Sequence, residues 1–96
     1  MTRIVLSPRA VGDLDEIWDY TSERWSADQA ERYVRDIWRA IETAAADPSR
    51  ARSCEEVRPG YRKLLAGSHV IFFKVIRGGI DVVRILHLRM DHEQHL

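Results

Sequence analysis

Apolar and polar positions change rhythm several times along the chain, and each change predicts an element. Arg3 to Leu6, "RIVL", is a short apolar run that reads as a strand. "SP" follows. Ser7 can cap the first free amides of a helix, and Pro8 suits the first helical position because it has no N–H to lose. Val11, Leu14, Ile17, Trp18, Thr21 and Trp25 then recur at helical spacing as one apolar stripe. Asp13, Asp15, Glu16, Asp19 and Glu23 fall mainly on the other faces. Ser26 and Gln29 have capping-box spacing and open a second helix. Its buried side is Ala30, Tyr33, Val34, Ile37, Trp38, Ile41, Ala44 and Ala45. Asp47 ends it, because a residue before proline avoids the helical region. With so short a link, the two helices fold back as an antiparallel hairpin.

"SRARSCEEVRPG" is loop-like, and three strand candidates follow it. "YRKLLA" precedes a turn at Gly67 and Ser68; "HVIFFKVI" precedes "RGG", whose paired glycines suit a tight hairpin; "IDVVRILHL" comes last. Strands joined by such short turns are antiparallel. The expected class is therefore α+β: a two-helix hairpin packed on a small antiparallel sheet, in the order β-α-α-β-β-β, as a single domain spanning residues 1–96. On the last strand, regular alternation puts Val83, Ile85 and His87 on one face and Val82, Arg84 and Leu86 on the other. Phe72 and Phe73 point to opposite faces, so neither face is fully polar. Either a partner segment covers the second face, or the sheet curls over it.

Composition narrows the class. The chain is 45% apolar and 31% charged, which reads as a soluble globular domain with a modest core. No apolar run approaches the ~20 residues of a membrane helix, and "MTRIVLSPRA" lacks the apolar stretch of a secretion signal. Cys54 is the lone cysteine, so no internal disulfide can form, which fits a reducing cytoplasm; it reads as a plain small residue in a loop. The net charge of zero hides an asymmetry: residues 1–50 hold seven Arg against ten acidic residues, and residues 51–96 hold eight Lys or Arg against five. The second half is the better surface for an anionic partner.

Three stretches carry a resemblance: "LSPRAVGDLDEIWDYTSERWSADQAERYV", "RPGYRKLLAGSHVIFFKV" and "VVRILHLRMD". Together they cover nearly the whole chain and resemble the ParE branch of the RelE/ParE toxin superfamily. The "RPGYRKLLAGSHVIFFKV" block and the "ILHLRMD" ending are the most specific parts. The resemblance implies the toxin half of a type II toxin–antitoxin pair, neutralised by a ParD-type antitoxin in a hetero-oligomeric complex. The amino-terminal part of such an antitoxin dimerises on operator DNA, and its carboxy-terminal segment wraps the toxin. The resemblance also implies that the toxin poisons DNA gyrase and blocks replication. It would touch DNA only through antitoxin or gyrase, and it implies no cofactor. The sister RelE branch instead cleaves messenger RNA on the ribosome.

Chemistry bears on the choice of branch. Cutting RNA at a 2′-hydroxyl needs a base, an acid and cationic clamps around one phosphate. Arg62, Lys63, Arg84 and His87 are the candidates. Positions 88–91 hold no tyrosine and segment 61–76 no glutamate, so the set is incomplete. One missing acid or base loses about 10²–10⁴ in rate. A non-enzymatic gyrase poison is the favoured reading, with a ribosome-dependent endonuclease using His87, Arg62 and Arg84 as the alternative.

His87, Arg89 and Asp91 are the expected target contacts; His87 equally reads as a core-edge histidine bonded to backbone, and Arg89 with Asp91 as a surface ion pair. Tyr20, Trp25, Tyr33 and Trp38 are the expected aromatic anchors for the antitoxin, with Arg58, Arg62, Arg77 and Arg84 meeting its acidic side chains. Trp18, Trp25 and Trp38 also read, by periodicity, as helix packing. No metal site is expected: His92 and His95 are only two flexible histidines in a tail.

Overall fold

The computed structural model describes residues 2–96. The elements are β1 (Arg3–Leu6), α1 (Pro8–Arg24), α2 (Ala27–Ala46), β2 (Arg52–Ser53), β3 (Tyr61–Ala66), β4 (His69–Ile76), β5 (Gly79–His87) and α3 (His92–His95). Their order is the expected one, with the two-residue β2 and the one-turn α3 added. The caps act where the sequence places them: Ser7 Oγ accepts from Ala10 N at 3.1 Å, and Ser26 Oγ accepts from Gln29 N at 3.1 Å. Only Trp25 and Ser26 separate α1 from α2, so the helices form the expected hairpin.

The five strands make one sheet in the order β1-β5-β4-β3-β2. β2 to β5 pair antiparallel, whereas β1 joins β5 in parallel, from Arg3 opposite Gly79 to Leu6 opposite Val82. Gly79 permits that docking, because a Cβ there would lie 1.7 Å from the Arg3 carbonyl oxygen.

The sheet has a buried cluster on each face. Under the helices, Ile71, Phe73, Ile80, Val82 and Ile85 meet Ala10 and Ile17 of α1 and Ile37, Ile41, Ala44 and Ala45 of α2. On the far face, Val70, Phe72 and Leu86 meet Cys54, with Val57, Tyr61 and Leu96 packed around them. The chain's own loop and its carboxy-terminal tail therefore cover this far-face cluster. Cys54 is a loop residue, as expected, and is fully buried in that cluster; burial pushes its thiol pKa up.

Alternation along β5 breaks. Phe73 pairs with Val82, but Phe72 pairs with Arg84, leaving Val83 as an extra residue. This bulge puts Val82 and Ile85 together under the helices and Leu86 on the far face, correcting the regular pattern.

The tryptophans also depart from their periodic assignment as packing residues. Trp18, Trp25 and Trp38 stay 39%, 57% and 37% exposed. The sheet-facing lines are Ala10, Asp13, Ile17 and Thr21 on α1 and Ala30, Ile37, Ile41 and Ala44 on α2. Small side chains let the helices sit close to the sheet, and the bulky rings fall beside those lines. Among the described residues, no helix is long and apolar enough to cross a membrane.

Candidate functional site

β1 ends opposite Val82, so beyond the bulge β5 has no strand along its outer edge. Side chains of α1 border it instead. Asp13 is the key one: its Oδ2 accepts from Ile85 N at 2.9 Å, where a strand carbonyl would otherwise do so. Arg84 reaches over the same edge and donates from Nε and Nη2 to the two Asp13 oxygens, each at 2.8 Å. Its Nη1 donates to the His95 carbonyl at 2.9 Å, in the tail. Hydrogen bonding to Asp13 is the main cause that raises the Arg84 pKa. The pair is largely dry, with side-chain exposures of 11% and 9%. Asp13 thus lies inward and not among the outer acidic residues of α1. Arg84 is bound within the protein, so it is not a free cation for an antitoxin carboxylate or an RNA phosphate.

Around this neutralised pair lies a groove of about 680 Å³ between the tip of the helix hairpin and the ends of β4 and β5. Ile17, Tyr20, Trp25, Tyr33, Ile85 and Met90 give it an apolar lining. Tyr20 and Trp25 stand at its rim, 58% and 57% exposed, edge to face with centroids 6.4 Å apart. The Arg24 guanidinium lies 5.9 Å and 5.8 Å from their ring centres.

Tyr33 is half-buried and holds the hairpin turn at the inner end. Its hydroxyl accepts from Ser68 N at 2.9 Å and lies 2.6 Å from His69 Nδ1. Gly67 makes room for the ring: its φ is +60°, and a Cβ there would come within 2.7 Å of Tyr33. His69 faces His87 across the strands with ring centroids 5.3 Å apart. Burial first, and then His87, lower the His69 pKa to about 4, so the ring is neutral near pH 7. His87 Nδ1 accepts from Arg89 N at 3.1 Å.

The expected site residues are only partly gathered. Tyr20, Trp25, Tyr33, Arg84 and His87 line the groove. Trp38 lies outside it on α2. Arg77 sits at the β4–β5 turn, at the other end of the sheet. Arg58 donates to the Val57 carbonyl, and Arg62 to the Ala51 carbonyl at 3.0 Å. Arg62 and His87 are two strands and four residue steps apart, roughly 17 Å. The nuclease set is therefore not assembled around one phosphate position. Asp91 caps α3 by accepting from Glu93 N at 3.2 Å, and among the described residues it makes no ion pair with Arg89. His92 packs on Phe72 and bonds the His87 carbonyl. No group of three or more metal-ligating side chains gathers among the described residues.

Sequence reading missed Asp13 and His69. Asp13 gives no periodic signal, since its partner lies 71 residues away. His69 gains its partner through the bulge, because continuous pairing from the Arg77–Gly78 turn would set it opposite Leu86.

A family description reading "ParE toxin of type II toxin-antitoxin system, parDE" matches residues 4–92. Toxin ParE1 of Mycobacterium tuberculosis is 55% identical over 96 residues, covering 99% of this chain and 98% of its own. The fold resembles the chromosomal ParDE system of P. aeruginosa, with a TM-score of 0.78 at 22% identity, covering 91% of this chain and 96% of that one. It also resembles the YoeB–YefM complex of Staphylococcus aureus, with a TM-score of 0.61 at 14% identity, covering 91% and 97%. From Ile4 to His92, this chain belongs to the ParE toxin family of type II toxin–antitoxin systems.

Proposed function

We propose that residues 1–96 act as one cytoplasmic toxin unit, that a ParD-type antitoxin neutralises it by laying its carboxy-terminal segment in the groove, and that the free toxin poisons DNA gyrase without cutting RNA. The groove carries the first part. Tyr20 and Trp25 hold large apolar area at its rim while Asp13 and Arg84 cancel each other at its floor. An amphipathic segment would therefore bury aromatic surface without stranding a charge. The name of the P. aeruginosa ParDE complex supports the choice of partner.

The non-enzymatic reading draws on the scattered cations. Arg84 is bound to Asp13, Arg62 is far from His87, and His69 accepts no proton until about pH 4. His87 at the end of β5 and Arg89 and Asp91 just beyond it are left for the target, with Asp91 also capping α3. Purified toxin should slow gyrase supercoiling and accumulate cleaved DNA, and the cognate antitoxin should reverse both. Unchanged supercoiling at excess toxin counts against gyrase. Cuts in messenger RNA on translating ribosomes, abolished by His87→Ala, would favour the endonuclease instead. Trp25→Ala should weaken antitoxin binding about tenfold or more.

A further inference from the structure

The turn between β3 and β4 is built around one side chain from α2. The Tyr33 hydroxyl accepts from Ser68 N at 2.9 Å, lies 2.6 Å from His69 Nδ1 and reaches the Ala66 carbonyl at 3.4 Å. These three residues flank Gly67, whose positive φ and missing Cβ leave space for the ring. The turn therefore takes its shape from a helix packed against it as well as from its own glycine. Ser68 passes that placement on. Its carbonyl accepts from Leu88 N at 2.9 Å, one residue beyond the His69–His87 pair that ends the β4–β5 ladder. Among the described residues, this is the one hydrogen bond that ties residues 88–91 to another element. Their other bonds stay local: Arg89 N donates to His87 Nδ1, Met90 N to the His87 carbonyl, and the Asp91 carboxylate accepts from Glu93 N.

We propose that Tyr33 is a positioning residue for the segment 88–91, holding it through Ser68 so that Arg89 and Asp91 meet the toxin's target in one geometry. This rests on the reading of His87, Arg89 and Asp91 as the target contacts. The segment needs such a hold because packing restrains it little. Leu88 is 53% and Met90 37% exposed, and Arg89 and Asp91 are exposed with them. A short exposed turn tied down by one outside hydrogen bond samples many conformations once that bond loosens. Freezing those conformations again on binding costs entropy and weakens the grip on the target. Tyr33 also lines the first groove, yet its hydroxyl is taken up by the turn. One side chain on α2 thus reaches from the groove to the end of the sheet that faces the target.

The test uses the full chain with Tyr33→Phe, which keeps the ring and removes the hydroxyl. Backbone NMR order parameters at Leu88, Arg89 and Met90 should fall from about 0.85 toward about 0.6, while those of Ile85 and Leu86 hold. A general loss of stability would not produce that local pattern. In cells making the toxin without antitoxin, the toxin level that halts growth should rise about fivefold, the worth of one ordinary hydrogen bond. Gly67→Ala crowds Tyr33 from the turn side with the hydroxyl intact, and it should give the same two changes; circular dichroism checks that both variants are folded. Unchanged order at residues 88–90 in Tyr33→Phe overturns the proposal. So does lowered order with undiminished growth arrest. Arg89→Ala and Asp91→Ala separate the two readings. If both leave arrest intact, the target reading falls and takes the proposal with it. If they weaken arrest while Tyr33→Phe arrests growth fully, the proposal alone is overturned.

Discussion

Phe72 and Phe73 are neighbours on β4, and both are fully buried, yet they sit in differently built cores. Phe73 lies under α1 and α2, two long capped helices that close over it with several aliphatic side chains. Phe72 lies under a loop and a one-turn helix whose ring contact is His92 at 4.9 Å. The tail is held by single contacts: Arg84 donates to the His95 carbonyl, Arg58 to the Glu93 carbonyl, His92 bonds the His87 carbonyl, and Leu96 packs on the far-face cluster. The comparison teaches that burial alone does not rank two sites. What matters is how many independent elements must move to uncover each. Arg84 touches both halves, because its guanidinium binds α1 on one side and the tail on the other.

The largest expected effect is at that joint. Asp13→Ala would leave a buried guanidinium and the Ile85 amide without their acceptor, costing about 3–5 kcal/mol in urea unfolding. Glu31→Ala breaks the exposed pair with Arg35 and should cost no more than about 0.5 kcal/mol. Equal costs for the two would show that the edge of β5 is open to water. Arg84→Met added to Asp13→Ala should recover part of the loss, since no charge is then stranded.

Next come the phenylalanines. Phe73→Ala should cost about 3–5 kcal/mol, and Phe72→Ala about 1–2 kcal/mol less, because the tail can settle into the space and the helices cannot. Equal costs would mean that the tail is as fixed as the hairpin. A smaller effect follows from removing residues 92–96: about 1–3 kcal/mol, from a lost charged hydrogen bond and the burial of Leu96. Hydrogen exchange should then quicken at Val70, Phe72 and Leu86 while the amides of α2 keep their protection. Uniform loss of protection would refute the separation of the two cores.

A further effect is a slope with pH. The folded protein holds His69 neutral down to about pH 4, whereas the unfolded chain takes up the proton near 6.5. Unfolding therefore binds a proton in that window, and stability falls as pH drops from about 6.5 to about 4, then levels off. His69→Gln should flatten this part of the melting-temperature profile. An unchanged slope would show that the ring gains its proton in the folded state as readily as in the unfolded chain.

Local signals wrote much of the fold. Ser7, Pro8, Ser26 and Pro48 mark helix ends through backbone chemistry within a few residues, and Gly67 and the Gly78–Gly79 pair mark turns in the same way. Each works at short range, so the order of elements is readable from the chain. The rim aromatics Tyr20 and Trp25 were also legible as surplus apolar area, though their exposure was not. Beyond that range the sequence is silent. Whether Asp13 faces water or Arg84 depends on where β1 stops, and whether His69 meets His87 or Leu86 depends on one extra residue at Val83.

The sequence by itself determined the helix hairpin and the hairpin-linked strands, because caps, turns and period are local properties, and three of its stretches carried the resemblance to the ParE family. Only the tertiary structure decided which charges pair and which face the tail covers. Those outcomes come from register and close packing between segments far apart in the chain, and a shift of one residue turns a side chain to the opposite face.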